Sequence, residues 1–582
     1  MHAQPDTSHR LSRGELAATA LTVLVLLLPI SGESFWTDEV TTATFASQPD
    51  YRGFWDSLST TGSEMQMPLY AHYMWAWARV FGTGELALRC ANIPWMALLV
   101  AGWVLLLKRH RTWGIAVLLL AAPLVSMQMN EARPYIMTMA TSALALLGLE
   151  RMLAAHRQGL HAGGIAVWGF ALATWACVAI SMLNLFVLPA LLAYALVCWK
   201  DDPRGLLPAG GSFVRAHRGV WVGLALGLTG LVGYFLWTLR QGHGGMPLPF
   251  TLTNLGFAIY EWAGFGGLGV PRNVLREIGP AAAARAAYPT LVMGVLAWLV
   301  AGAHLWRERR RLAADPAVAR PIWGGKAGAW LLILAAVVMP ASIWGRHFLF
   351  AWPFIWLGLA RWMVPAPDAG PASMAGGTSA AGGCGSASVA TPAEREAQGA
   401  GGRQGVGGAQ GARSAQGARS ARHPYRSSRL GLAAFLALIV VFLISSGRQR
   451  IDPAFGKDPY REAVEALRGQ LQAYRELPWV WVTYPKALRL YGGQIVDRNA
   501  PLAADESQGR PALVLGDQWG AEDVRDWTGR HPDFLLVLHR PEVTDPEGAW
   551  RRLTATAGER LWERGNIRIY RIRAGSANES GR

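Results

Sequence analysis

Two adjacent carboxylates, Asp38 and Glu39, lie in the segment Ser34–Val40, directly after the first long apolar run of the chain. A carboxylate beside a membrane needs water, a partner or a function, because moving it into an apolar medium is costly. Asp also caps helices, so a solvated loop or a helix cap is the structural alternative. If the pair takes part in a reaction, it can supply a general base for a neutral nucleophile.

Arginines that could bind an anion occur in three further segments. Arg89 ends the segment Phe81–Arg89, Arg133 lies in Glu131–Tyr135, and Arg346 precedes His347. The planar guanidinium fork matches a phosphate bidentately, and a tyrosine adds a hydroxyl. Convergence of these segments on one membrane face predicts a site for an anionic, lipid-attached substrate. The candidate substrate-binding residues are Tyr70, Arg89, Arg133, Tyr135, Arg346 and His347.

Each of these signals also has a structural explanation. Arg89 could pair with a lipid phosphate at the end of a span, and Glu131 could tie down Arg133 within its loop. His72, His243 and His347 lack metal-ligand spacing, so no metal site is predicted. The four cysteines are scattered without C-x-x-C spacing, which indicates neither a disulfide framework nor a zinc site.

Long apolar runs separate these segments and predict the transmembrane helices that position them. The chain of 582 residues is 52% hydrophobic and 16% charged, whereas a soluble protein carries about 25% charged residues. A span needs about 20 apolar residues. This predicts a polytopic α-helical membrane protein with about eleven transmembrane helices. The spans are placed at roughly 14–33, 86–107, 113–130, 134–152, 163–182, 184–199, 219–239, 288–306, 327–345, 347–364 and 430–446.

The cations indicate the orientation. The net charge is +16, but Lys and Arg cluster at alternate loops, such as 108–111 and 307–311, where they set topology. The N-terminus is therefore predicted inside, the candidate site is predicted outside, and no nucleic-acid partner is predicted. The first apolar run lacks a following cleavage site and is interpreted as a retained helix.

The chain divides into four predicted regions. Residues 1–364 form the transmembrane catalytic region. Residues 365–429 are a Gly/Ala/Ser/Arg tract expected to be a disordered inner linker. Residues 430–446 form the last span, and residues 447–582 form an outer α/β domain in which alternating helices and strands suggest a mostly parallel sheet.

The order of the motifs resembles a known family. An acidic pair after the first span, a P-L-Y segment at Pro68–Tyr70, F-G-x-x-E-x-A-x-R at Phe81–Arg89 and E-A-R-P-Y at Glu131–Tyr135 follow one another. This order is similar to the membrane glycosyltransferases of the GT-C fold. The most similar groups are the protein mannosyltransferases and the lipid A aminoarabinose transferases.

The resemblance implies a sugar donor on a polyprenyl phosphate and inverting transfer at the outer face of a bacterial inner membrane. Asp38 would be the general base, and Glu39 would orient the acceptor or a neighbouring cation. Arg89, Arg133 and Arg346 would hold the departing phosphate. The acceptor would be a glycan, a lipid or a protein, with membrane lipid around the chain. Guanidinium groups can neutralise phosphate, so no cofactor is required, although a divalent metal is compatible with this chemistry.

The chain departs from the family where Gln66 and Met67 precede Pro68, since relatives often place a cation there. Two other functions are considered. A transporter or flippase of a lipid-linked sugar predicts charges at mid-membrane and internal repeats, and the sequence shows neither. A non-enzymatic scaffold with an outer interaction domain leaves the acidic pair and the arginines without a role.

Overall fold

In the computed structural model, residues 12–364 and 429–573 are described, apart from 61, 111, 113, 161, 203–204, 243–249, 340–342, 453–454, 470, 475–476, 483–486, 488–489, 492–512, 516–518, 540–544 and 546. Most of the predicted linker, 365–428, lies outside the described residues.

The transmembrane region consists of helices and short 3₁₀ segments. The α-helices are α1 (Arg13–Leu27), α2 (Thr37–Ala46), α3 (Tyr51–Ser59), α4 (Pro68–Phe81), α5 (Glu85–Cys90), α6 (Asn92–Arg109), α7 (Pro123–Met129), α8 (Tyr135–Arg157), α9 (Gly164–Ile180), α10 (Val187–Lys200), α11 (Leu206–Ala216), α12 (Arg218–Arg240), α13 (Leu252–Trp262), α14 (Arg272–Ala286), α15 (Tyr288–Ala314), α16 (Pro316–Val338), α17 (Trp352–Met363) and α18 (Arg429–Ile451). The 3₁₀ helices are Gly62–Gln66, Gly114–Ala121, Met182–Phe186, Phe265–Gly267 and Gly345–Ala351.

The predicted fold class is confirmed, because the chain is a polytopic α-helical membrane protein with a small α/β domain at its C-terminal end. Within the described ranges, seven helices are long and apolar enough to cross a membrane. The other four predicted spans, 14–33, 113–130, 163–182 and 347–364, fall on shorter helices or on 3₁₀ segments joined to α-helices. The span predicted at 327–345 begins earlier, since Asp315 caps α16 and Pro316 occupies its first turn.

Local signals position the helices that follow the first span. Asp50 accepts a hydrogen bond of 2.7 Å from the Gly53 amide and so caps α3. Pro68 starts α4, where its missing N–H costs nothing. Gly82, with a φ of 91°, ends the same helix in a conformation that favours glycine. The result is a layer of short helices, α2 to α4, outside the spans.

Glycines allow close helix packing in the bundle. A Cβ atom on Gly324 would lie 2.9 Å from the Ala190 carbonyl oxygen, and one on Gly328 would lie 2.7 Å from the Phe186 carbonyl oxygen. Small residues of this kind let the backbones of membrane helices approach each other. Helix α16 therefore packs tightly against α10 and the 3₁₀ turn before it.

The C-terminal domain is built on a five-stranded mixed sheet in the order β2-β1-β3-β5-β4. Strands β1 and β2 and strands β1 and β3 are parallel, whereas β5 is antiparallel to both β3 and β4. The sequence analysis predicted a mostly parallel sheet and missed β4, which forms a hairpin with β5. The domain elements are α19 (Tyr460–Arg468), the 3₁₀ helix Gln472–Tyr474, β1 (Trp479–Val482), β2 (Leu513–Leu515), α20 (Ala521–Arg530), β3 (Asp533–His539), α21 (Ala549–Ala557), β4 (Gly558–Arg564) and β5 (Ile567–Arg573).

One face of this sheet joins the domain to the layer of short helices. In β3, Leu535 and Val537 share a hydrophobic cluster with Phe35 and other residues of that layer. Phe534 and Leu536 point the other way and pack under α20 and α21, as strand alternation requires. The domain is thus seated on the outer layer.

Candidate active site

A cavity of 360 Å³ opens between the helical bundle, the outer layer and the start of the C-terminal domain. The segments that meet there are the ends of α7 and α18, helix α13 and the 3₁₀ helix Gly345–Ala351. Charged and aromatic side chains share its wall. The residues of its wall include Trp36, Leu124, Glu131, Phe257, Tyr260, Trp344, Arg346 and Lys457.

Glu39 and Arg89 form a fully buried ion pair behind this wall. The Arg89 Nε and Nη2 atoms each donate a hydrogen bond of 2.9 Å to the Glu39 carboxylate. The remaining Arg89 donors reach the carbonyl oxygens of Ser31, Glu33 and Ser34. A guanidinium has five N–H donors, and all five are used here.

These contacts occupy the Arg89 guanidinium, and its contact with the phosphate stays a prediction. The side chain is 0% exposed, and binding an anion would break its bonds to Glu39 and the backbone. Arg89 instead fixes the segment Ser31–Ser34, which leads into α2. It is a positioning residue.

Lys457 connects the C-terminal domain to the same pair. Its Nζ lies 2.6 Å from the Glu39 Oε2 and also donates to the Asn130 carbonyl. Burial raises the pKa of Glu39, but the charges of Lys457 and Arg89 outweigh it and lower the pKa to about 2. Burial lowers the pKa of Lys457 to about 8, against the attraction of Glu39. Glu39 is therefore an ionised partner of two cations.

Asp38 and Arg346 meet at the edge of the cavity. The Arg346 Nη2 lies 3.1 Å from the Asp38 Oδ2, and the Asp38 side chain is 30% exposed. The guanidinium carbon is 5.2 Å from the Trp36 ring centre and 5.7 Å from that of Tyr135, which are cation–π distances. Arg346 also lies on the cavity wall. It is the predicted arginine that the structure places where a substrate can reach it.

Glu131 is a carboxylate that the sequence analysis did not place in the site. It lines the cavity, and its Oε2 is buried without a hydrogen-bond partner in the described part of the chain. Burial raises the pKa of Glu131 to about 7, against the opposing charges of Lys457 and Arg346. A carboxylate that titrates near neutral pH suits proton transfer.

Arg133 lies behind the cavity rather than on its wall. Its Nη1 donates to the Glu64 Oε1 over 2.9 Å and to the Asp38 carbonyl over 3.3 Å. The Arg133 side chain is 7% exposed. Glu64 pairs with the guanidinium, while the Arg133 amide donates to the Glu131 carbonyl over 2.7 Å and ties the loop through the backbone. The phosphate contact of Arg133 stays a prediction.

The Tyr70 and His347 side chains form hydrogen bonds with backbone atoms and do not line the cavity. The Tyr70 hydroxyl donates to the Ala132 carbonyl and lies 3.1 Å from the Thr42 hydroxyl. Burial and hydrogen bonding enclose the Tyr70 hydroxyl. The His347 Nδ1 accepts from the Trp344 amide over 3.2 Å at the start of the 3₁₀ helix. The substrate contacts of both residues stay predictions.

A search of the described ranges finds no group of three or more His, Cys, Asp or Glu residues placed to hold a metal ion.

Comparison with known proteins gives structural neighbours but no close relative in sequence. No protein-family model matches the chain, and no curated protein matches it. Solved structures do match. Two of them are structures of ArnT. The apo form from Cupriavidus metallidurans has 13% identity, a TM-score of 0.44, and coverage of 97% of this chain and 98% of that one.

The second ArnT structure, from the same organism, is bound to undecaprenyl phosphate. It has 13% identity, a TM-score of 0.44, and coverage of 96% of this chain and 97% of that one.

Proposed function

We propose that the protein is an inverting glycosyltransferase that moves a sugar from a polyprenyl-phosphate donor to an acceptor of the cell envelope. The observation that supports this most is the composition of the cavity. Three cations, Arg346, Arg450 and Lys457, share its wall with Glu131, a carboxylate with one oxygen that has no hydrogen-bond partner among the described residues. Asp38 joins this group through Arg346.

The cations suit the phosphate of the donor. Arg346 presents a planar fork and Lys457 a point charge, so the two can bind different oxygens of one phosphate. The aromatic side chains of Phe257, Tyr260 and Trp344 and the apolar Leu124 line the cavity. They offer the apolar surface that the first isoprene units and the sugar ring need.

The reaction follows from this arrangement. A carboxylate removes the proton of the acceptor hydroxyl, and the oxygen attacks the anomeric carbon from the side opposite the phosphate. The bond between that carbon and the phosphate oxygen breaks, and its electron pair stays on the phosphate beside Arg346 and Lys457. Charge stabilisation on the leaving group and one base on the acceptor are sufficient. The configuration at the anomeric carbon inverts.

Asp38 is proposed as the general base. Its carboxylate touches Arg346, so it adjoins the phosphate and therefore the anomeric carbon bonded to that phosphate. When the phosphate engages Arg346, the Asp38 carboxylate loses part of its ion pair and becomes more basic. Glu131 is the second candidate, supported by its unpartnered oxygen and its raised pKa.

The reaction is placed at the outer face of a bacterial inner membrane. Loops rich in Lys and Arg stay on the cytoplasmic side, and the cavity lies on the opposite side of the membrane. We therefore infer a cytoplasmic N-terminus and a periplasmic or extracellular C-terminal domain. No nucleotide pool exists on that side, so a lipid-borne donor suits the location. The transferred group is a hexosyl or pentosyl residue, and the acceptor is a glycan, a lipid or a protein.

Binding of undecaprenyl phosphate tests the proposal without knowledge of the sugar. The full-length protein and the Arg346→Gln variant would be titrated with this lipid in detergent, with Arg52→Gln as the control. Arg52 is a 93% exposed arginine of the outer layer. We expect affinity to fall about tenfold in Arg346→Gln, because a charge-assisted bond is lost, and to be unchanged in Arg52→Gln. Equal affinity in all three proteins would contradict a phosphate site at Arg346.

A further inference from the structure

A second cavity lies at the other end of the helical bundle and also measures 360 Å³. It is bounded by the ends of α6, α8, α10 and α17 and by the start of α16. Helix α8 begins at Tyr135, four positions after Glu131 at the active-site cavity, and ends at Arg157 with a length of 23 residues. A helix of that length spans about 35 Å. The second cavity therefore lies at the opposite membrane face, which the loop cations predict to be the inner one.

Four arginines line this cavity, namely Arg109, Arg157, Arg320 and Arg361, together with one carboxylate, Glu150. Such a concentration of cations between membrane helices is costly unless anions balance it. The contacts show how far the protein itself supplies those anions.

Glu150 already has three polar neighbours within the protein. It is 3.1 Å from the Arg109 Nε and 2.5 Å from the His110 Nε2, and it accepts from the Tyr194 hydroxyl over 2.8 Å. One carboxylate thus serves an arginine, a histidine and a tyrosine. It leaves no charge to balance the other three arginines.

Those three arginines differ in their partners. Arg320 is 2.8 Å from Asp201, and Arg361 is 3.9 Å from Asp315; neither aspartate is on the cavity wall. Arg157 donates to the Cys198 carbonyl over 2.8 Å. Among the described residues it has no carboxylate within ion-pair distance. The wall therefore carries a surplus of positive charge, and Arg157 is the cation on it that lacks an anionic partner among the described residues.

We propose that this cavity binds the phosphate of an anionic phospholipid at the inner membrane face. Basic pockets between membrane helices on this side suit anionic lipid headgroups, and arginine forks suit phosphate oxygens. The apolar residues Leu153, Ala154 and Ala317 on the same wall provide contact for the glycerol and acyl portions. This site is separate from the proposed function and does not depend on it.

Native mass spectrometry of the full-length protein tests the site. Cardiolipin, phosphatidylglycerol and the net-neutral phosphatidylcholine would be titrated into wild type, Arg157→Gln and Arg151→Gln. Arg151 is an exposed arginine on the same helix that does not line the cavity. We expect anionic lipid to be retained by wild type and Arg151→Gln and to bind about tenfold more weakly to Arg157→Gln, since one charge-assisted bond is lost.

A second variant and a competition arm complete the test. Arg320→Gln should also weaken anionic lipid binding, so the conclusion does not depend on one substitution. Equal weakening in Arg151→Gln, or equal retention of phosphatidylcholine and cardiolipin by wild type, would overturn the proposal. Displacement of the lipid by millimolar inorganic phosphate would assign the cavity to a soluble phosphate and overturn the lipid as its ligand.

Discussion

The guanidinium of Arg346 lies 3.1 Å from the carboxylate of Asp38, so the proposed phosphate ligand and the proposed general base are in direct contact. The guanidinium supplies a positive charge beside this carboxylate at the membrane surface. An arriving phosphate competes for the same guanidinium. Donor binding and activation of the base are thereby coupled through one arginine.

Substitutions of Arg89 and Arg346 should have different effects. Arg89→Gln leaves Glu39 buried with Lys457 as its remaining cation among the described residues and should destabilise the fold by about 3–5 kcal/mol, as expected when a buried ion pair loses one partner. Arg346→Gln removes a group at the cavity edge and should leave the melting temperature nearly unchanged while transfer is lost. Thermal unfolding in detergent compares them. Equal melting temperatures for Arg89→Gln and wild type would contradict the positioning role.

Lys457 should set the alkaline limit of activity. Its pKa is lowered to about 8, so above this pH the ammonium loses its proton and its attraction for phosphate. Transfer or donor binding should decline as pH rises through about 8 in wild type. Lys457→Arg should hold its activity at higher pH because a guanidinium stays charged, whereas Lys457→Gln should be weak throughout. An unchanged alkaline limit in Lys457→Arg would assign that limit to another group.

Glu131 should lower stability at neutral and alkaline pH. Its pKa is raised to about 7 in the folded state, above the value of an unfolded glutamate. The folded state therefore binds the proton more tightly, and stability falls as pH rises from about 4.5 to 7. At pH 8 the raised pKa of Glu131 lowers the free energy of unfolding by about 3 kcal/mol.

Glu131→Gln removes this cost and should melt a few degrees above wild type at pH 8, with the difference vanishing toward pH 4.5. Melting curves at several pH values, with Glu559→Gln as an exposed control, provide the measurement. A variant less stable than wild type at pH 8 would show that the carboxylate contributes contacts that outweigh its burial.

The sequence was informative about the fold and about one part of the site. Apolar runs of sufficient length predict spans because lipid imposes that length, and loop motifs pointed to Asp38 and Arg346, which form an ion pair. The ion pairs of Arg89 and Arg133 were not predicted because their partners, Glu39 and Glu64, lie 50 and 69 residues away in the chain. Lys457 was missed because 418 residues separate it from Glu39, and no local pattern marks such a contact.

Glu131 shows a different limit of sequence reasoning. Its position two residues before Arg133 suggested an ion pair within the loop. In the structure Arg133 turns to Glu64, and the Glu131 side chain lines the cavity instead. Which of two neighbouring charges faces a cavity depends on packing from other helices, which spacing does not encode.

Sugar transfer itself tests the central claim most directly. The full-length protein would be reconstituted with labelled polyprenyl-phosphate sugars and envelope acceptors, beside Asp38→Asn, Glu131→Gln and the exposed control Asp56→Asn. We expect wild type and Asp56→Asn to transfer the sugar. In Asp38→Asn the transfer rate should fall about 10²–10⁴-fold, while undecaprenyl phosphate should still bind. Collapse in Glu131→Gln alone would move the base to that residue. Undiminished transfer in both Asp38→Asn and Glu131→Gln would contradict catalysis at this cavity.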